Sequence, residues 1–390
     1  MKLKLLYLIT EDWFFCSHFI ERAVAAREAG YDVFVVTREQ AHGANIRAAG
    51  LQLIPLDFAR RSMNPLSELR LLFAILRIYR QVRPNIVHHI AVKPILYGSL
   101  AARLAGVPTI VNAPVGMGYA FSSADRTARL LRPLLRLGYR GLMNPRGSRV
   151  IFENRDDLES FVETGSVRRT EVVLIRGAGI DLVRFRPKVE PTGLPLVVLI
   201  ARMLRDKGVA EFVAAARVLH DQRIVGRFAL VGDPDPENPA SIPLKTLQTW
   251  HGHCGVEWWG WRDDVAAVLG EASIACLPSY REGLPKSLLE AAACGLPIVT
   301  TDTPGCREVV VDGDNGLLVP VRDIDALATA LKNLLLDSAL RQRMGKRSRA
   351  RAENDFSSER VIRETLAVYS QLGNRQLAAL DCKSDVRNDS

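Results

Sequence analysis

Two glutamates, Glu282 and Glu290, stand eight residues apart in PSYREGLPKSLLEAAACGLPIV (278–299), the first in a turn and the second inside the helix that the turn launches. The preceding SIACLP (273–278) is a short apolar run closed by Pro278, the pattern of a buried parallel strand. Gly283 permits an unusual backbone, Pro285 suits a first helical position, and KSLLEAAAC supplies strong helix formers until Gly295 and Pro297 end the pattern. PIVTT reads as the next strand. Such a unit turns backbone amides and the positive end of a helix dipole toward the carboxyl edge of a sheet, where a phosphate binds. Gly283, Leu284, Pro285, Lys286 and Ser287 would line that site. Carboxylates beside a phosphate repel it, so Glu282 and Glu290 are read as acceptors for hydroxyls, and the expected ligand is a phosphate ester rich in hydroxyl groups. An isolated pair at this spacing would be two solvated side chains; the strand, turn and helix around it give it meaning.

Arg202 and Lys207 lie five apart in ARMLRDKG (201–208), just after the apolar run LPLVVLI. Two cations at the end of a strand can neutralise the charge that grows on a departing diphosphate, an electrostatic role that often dominates catalysis. Asp233 and Asp235, and likewise Asp312 and Asp314, imitate a D-x-D metal motif. With cations and a helix end available for the anion, these aspartates are read as turn residues, and no metal or other cofactor is expected.

Elements that would position these groups are visible along the chain. In the first half, LKLLYLI, DVFVVT, LQLIPL, NIVHHI, TIVNA, RVIFEN and EVVLIR read as strands, with helices over SHFIERAVAAREAG, PLSELRLLFAILRIYRQV and YGSLAARLAG. The second half restarts with LPLVVLIAR, RFALVG, VEWWGW, SIACLP, PIVTT and GLLVP. Alternation of this kind predicts an α/β chain of two doubly wound, Rossmann-like domains. The proline- and charge-rich RPKVEPTGLP (186–195) is the expected linker, giving domains over 1–187 and 188–356, a last helix over 357–373, and a flexible polar tail over 374–390.

The chain has 390 residues, 48% hydrophobic and 24% charged, enough for two globular cores. MKLKLLYLI is too short for a membrane span or signal peptide and is read as the first strand. Six scattered cysteines form no metal or disulfide pattern, which suits a reducing cytoplasm. Residues 1–188 carry a net charge of +12 and residues 189–390 a net charge of −3. Arginines at 126, 129, 132, 136 and 140 recur among leucines within 125–149. Such a helix either docks on an anionic membrane surface or packs on its sheet with a solvated basic face. Nucleic acid is not an expected partner, because no binding module or aromatic platform accompanies the arginines.

These segments together resemble the retaining family-four, or group 1, glycosyltransferases of the two-domain GT-B fold. Besides the glutamate motif, GAGIDLVRFRP (177–187) resembles their interdomain N-G-V-D-x-x-x-F-x-P and ARMLRDKG their phosphate-binding G-R-L-x-x-x-K-G. LVGD (230–233), GWRDDV (260–265), TPGCREVV (303–310) and DGDNGLLVP (312–320) follow in family order. The resemblance implies that the helix over 357–373 crosses back to the first domain, and it implies a nucleotide-sugar donor, expected to be a UDP-sugar, and a catalytic set of Glu282, Arg202 and Lys207. Glu282 would hold hydroxyls of the transferred sugar near the reacting carbon, and Glu290 those of the ribose. GMGYAFSS (116–123) is similar to the G-L-G-Y-x-F-S of members acting on polyprenyl-diphosphate-linked sugars, implying acceptor binding by Gly116, Gly118 and Tyr119. Many relatives place a histidine just before that glycine; here Pro114 and Val115 precede it. Lys93 in AVKPILYG and His18, after the Trp13, Phe14 and Phe15 cluster, are the other acceptor candidates, whereas His88 reads as structural. The expected enzyme builds a surface glycan on a lipid carrier at the inner face of the cytoplasmic membrane. A sugar-nucleotide 2-epimerase shares the fold but wants further acid and base groups around the sugar, and a silent partner subunit would have no use for the four charged residues.

Overall fold

A computed structural model describes residues 2–58, 64–115 and 141–388. They form two units, one of residues 1–178 and 359–390 and the other of residues 179–358.

In the first unit the apolar runs become seven parallel strands, β1 (Lys4–Glu11), β2 (Asp32–Arg38), β3 (Gln52–Pro55), β4 (Ile86–Ile90), β5 (Thr109–Ala113), β6 (Arg149–Phe152) and β7 (Val172–Leu174), in the order β3-β2-β1-β4-β5-β6-β7. Alternate residues of β1 feed opposite cores: Leu5, Tyr7 and Ile9 pack on one face, Leu6 and Leu8 on the other. Both faces are therefore covered, which is why these strands read as continuous apolar runs. Helices Asp12–His18 and Ile20–Glu28 replace the single helix expected from residue 17, and the helix expected from Tyr97 starts earlier, at Val92. No helix among the described residues is long and apolar enough to cross a membrane.

The second unit repeats the pattern with β8 (Leu196–Ile200), β9 (Arg227–Val231), β10 (Val256–Gly260), β11 (Ile274–Leu277), β12 (Ile298–Thr301) and β13 (Gly316–Val319), all parallel in the order β10-β9-β8-β11-β12-β13. Chain order reverses between β8 and β11, so the loops leaving these two adjacent strands diverge at the carboxyl edge of the sheet. In open α/β sheets that is where ligands bind. Arg202 and Lys207 leave from β8, and Glu282 leaves from β11.

Two expected boundaries need correction. The units divide at 178/179 and 358/359, not in the proline-rich segment or at 356. Ile180 and Phe185 are buried in the second core, so the apolar residues of GIDLVRF, not the polarity that follows them, decide where that unit begins. Asp181 caps the amides of Val183 and Arg184, and Ile180 bridges Ser357. The final helix runs from Ser358 to Asn388 and so includes most of the segment expected to be a flexible tail. That segment has good helix formers and no proline after Gly373. Val361, Val368, Tyr369 and Leu372 join β1 in the first core.

Candidate active site

The loop after β8 tightens into a turn of 3-10 helix, Arg205–Lys207, and then Gly208 takes φ +72° before the helix Val209–Asp221. A side chain at Gly208 would collide with the Pro278 carbonyl, so glycine is needed both for the backbone angle and for the approach of the two loops. Asp206 ties them together, its carbonyl accepting from the Ser279 hydroxyl at 3.0 Å and the Tyr280 amide at 2.8 Å. Lacing at this level brings the Lys207 Nζ to 2.6 Å from the Glu282 Oε1, a pair that is mostly buried. The loop after β12 supports the same turn: Thr301 donates its hydroxyl to the Ser279 carbonyl, and Gly305 (φ +76°) passes so close to Gly283 that a Cβ would strike the Gly283 oxygen.

Arg202 meets Asp235, with Nη1 2.7 Å from Oδ2. The other aspartates of the D-x-D lookalikes serve turns or an ion pair. Asp233 accepts from the Trp261 amide at 3.1 Å, Asp312 from the Leu318 amide at 2.9 Å, and Asp314 pairs with Arg347 at 2.7 Å. No cluster of three His, Cys, Asp or Glu side chains able to hold a metal occurs among the described residues.

Glu290 lies on the helix Lys286–Ala293, which starts one residue later than expected because Pro285 is its N-cap. Leu284, Leu288 and Leu289 anchor that segment in the core, and Glu290, among buried alanines, is only 8% exposed. Burial pushes its carboxyl up to about 7, an effect that the charges of Lys286 and Arg184 partly offset. Lys286 is its ion-pair partner at 3.8 Å. At the other end of the helix Arg349 donates to the Ala293 carbonyl at 2.7 Å and to the Phe185 carbonyl at 2.8 Å, fixing the helix against the segment that carries Arg184. Sequence reasoning missed Arg184, although GIDLVRFRP contains it. It also missed Tyr280, held between the Glu211 carboxylate and the Arg322 guanidinium, which lies 4.5 Å from the ring centre.

In the first unit Lys93 sits in the first turn of the helix Val92–Ala105, and its Nζ is 2.9 Å from the Glu68 Oε1. A carboxylate thus already faces the cation read as an acceptor candidate. His18 ends its helix with its ring 4.2 Å from that of Phe14, and Phe15 is core. His88 is buried within β4, its Nδ1 2.7 Å from the Tyr369 hydroxyl, and burial holds its pKa well below the usual value. That hydroxyl also meets Tyr7 at 2.9 Å. Gly116, Gly118 and Tyr119 and the arginines from 126 to 140 lie outside the described residues.

The family model for glycosyl transferases group 1 matches residues 194–337, the half that carries the paired loops, and the glycosyl transferase 4-like model matches residues 4–152. Both halves of the chain thus match glycosyltransferase models, and the chain is a glycosyltransferase. Over 361 residues this glycosyltransferase is 29% identical to the N,N'-diacetylbacillosaminyl-diphospho-undecaprenol alpha-1,3-N-acetylgalactosaminyltransferase of Campylobacter jejuni, covering 89% of this chain and 93% of that protein. It is 26% identical over 325 residues to the UDP-Gal:alpha-D-GlcNAc-diphosphoundecaprenol alpha-1,3-galactosyltransferase of Escherichia coli, covering 79% and 81%. The fold matches sucrose-phosphate synthase from Thermosynechococcus elongatus with a TM-score of 0.78 at 20% identity, over 96% of this chain and 100% of that one. Two Rossmann-like units in the GT-B class are therefore the architecture of this enzyme.

Proposed function

We propose that the enzyme transfers a hexosyl or N-acetylhexosaminyl group from a UDP-sugar to a saccharide carried on a polyprenyl diphosphate, with retention at the anomeric carbon and without a metal. One observation carries the assignment of the site: the Lys207 and Glu282 side chains meet at 2.6 Å where the loops after β8 and β11 diverge. In this reading Lys207 and Arg202 face the UDP diphosphate as its bond to the anomeric carbon breaks, and the start of the helix Lys286–Ala293 adds its dipole. Glu282 orients a hydroxyl of the transferred sugar and Glu290 the ribose. The acceptor hydroxyl oxygen forms the new bond to the anomeric carbon, UDP leaves with the electron pair of the broken bond, and the hydroxyl proton is taken up by the released diphosphate. The names of the two curated relatives support the acceptor class, since both act on undecaprenyl-diphosphate sugars, and the second names a UDP donor.

The test is mass spectrometry of products formed from a panel of UDP- and GDP-sugars with a lipid-diphosphate disaccharide or monosaccharide acceptor. Transfer from a UDP-sugar with the α-configuration kept is expected. Interconversion of the free nucleotide sugar without transfer would replace this reading by the epimerase.

A further inference from the structure

The helix Pro65–Val82 packs Leu71, Ile75, Leu76 and Tyr79 into the first core. Its opposite face is unusual. Leu66, Leu69 and Phe73 are 66%, 49% and 59% exposed, and Arg70, Arg77 and Arg80 are exposed too. At 100° per residue all six project into one arc of about 100°. Leu66, Leu69 and Phe73 occupy the first half of the helix with Arg70 among them, and Arg77 and Arg80 continue the same stripe toward its end. Glu68, the acid of this helix, is turned away from the stripe to meet Lys93. A solvated face would mix both charge signs and contain few large apolar groups.

We infer that this stripe is a docking surface for an anionic lipid bilayer, with Leu66, Leu69 and Phe73 entering the headgroup boundary and Arg70, Arg77 and Arg80 meeting lipid phosphates. Charge complementarity selects the occupant: the face is purely cationic and apolar, and it belongs to the half of the chain with a net charge of +12. The inference deepens the proposed function, on which it rests for a reason to visit a membrane. It lies apart from the basic 125–149 segment. The helix would lie flat, its long axis in the interface, since it is too short and too charged to span.

Flotation with vesicles of equimolar phosphatidylglycerol and phosphatidylcholine tests it. Wild type should bind at low salt, bind less as salt rises, and bind weakly to phosphatidylcholine alone. The triple variant R70Q/R77Q/R80Q should partition about a hundredfold less, at roughly fivefold per arginine. L69S/F73S should lose most of the binding that survives salt. All six positions are exposed, so both variants should keep the wild-type UDP affinity, which also controls for folding. Wild type that ignores anionic vesicles, or variants that bind them as wild type does, would overturn the inference. So would self-association abolished by L69S/F73S in a chain that binds no vesicles, which would make a second copy the occupant. Sugar transfer to a short-chain, water-soluble acceptor separates the two readings: its absence refutes the proposed activity whatever the vesicles show, and its persistence in variants that no longer bind vesicles leaves the enzyme intact.

Discussion

Replacing Glu290 by glutamine should stabilise the second unit at alkaline pH while weakening nucleotide binding. The wild-type carboxyl titrates near 7 in the folded state instead of at its ordinary 4.5, because burial disfavours the charge. Below 4.5 the group is protonated whether folded or not, and it contributes nothing to pH dependence. Between 4.5 and about 7 the unfolded chain has lost the proton and the folded chain still holds it, so stability falls as pH rises; above 7 the full cost stands. At about 1.4 kcal/mol per pH unit that cost is about 3 kcal/mol. Glutamine keeps the size and the hydrogen-bonding reach without the charge. Stability of Glu290→Gln relative to wild type should therefore be about 2 to 3 kcal/mol greater at pH 8 than at pH 5. Urea unfolding followed by tryptophan fluorescence reads this well, since Trp250, Trp258, Trp259 and Trp261 all lie in the second unit and only Trp13 in the first. Calorimetry on the same variant should show UDP affinity reduced by about 1 to 3 kcal/mol at pH 8, the usual worth of hydrogen bonds to a carboxylate. Equal pH profiles for the two proteins would refute the buried-charge argument, and unchanged UDP affinity would remove Glu290 from the site.

Lys207→Ala should lower kcat by on the order of a hundredfold, because the cation meets the charge of the transition state, and it should also lower Tm, because it leaves the mostly buried Glu282 carboxylate without its partner; steady-state kinetics with full activity would move the diphosphate elsewhere. Transfer should survive EDTA, and an enzyme silenced by chelation and revived by Mg²⁺ would contradict the metal-free proposal. Tyr369→Phe breaks the contacts to Tyr7 and His88 and should cost the first unit about 1 to 3 kcal/mol, read by its melting transition, with UDP affinity unchanged.

The inner strands, among them β4, β5, β11 and β12, were legible because every residue in them is buried and so they appear as apolar runs; the helix Pro65–Val82 was legible from its apolar periodicity, and it starts at an asparagine cap and a proline. Pairings between distant residues were not. Nothing near Arg202 announces Asp235, and nothing near Lys93 announces that Glu68, 25 residues earlier, will face it. Glu282 and Lys207 are 75 residues apart, and their meeting depends on strand order in the sheet, which local periodicity does not encode. Composition also misled at the domain boundary. Proline and charge mark where a chain is exposed, whereas the boundary is set by which core claims Ile180 and Phe185.

The return of the last helix to the first unit has a consequence for biosynthesis. Residues 179–358 are one uninterrupted stretch whose ends meet, Ile180 bonding to Phe356 and Ser358 at 2.9 and 3.0 Å, so the second unit can complete its core as soon as that stretch leaves the ribosome. The first unit cannot. Although it begins the chain, the surface of β1 and the first helices stays uncovered until Val361, Val368, Tyr369 and Leu372 have been made. Order of synthesis and order of folding are thus reversed, and a nascent or truncated chain ending near residue 358 would carry a finished second unit and an unfinished first unit with exposed apolar surface, the kind of species that chaperones and proteases recognise.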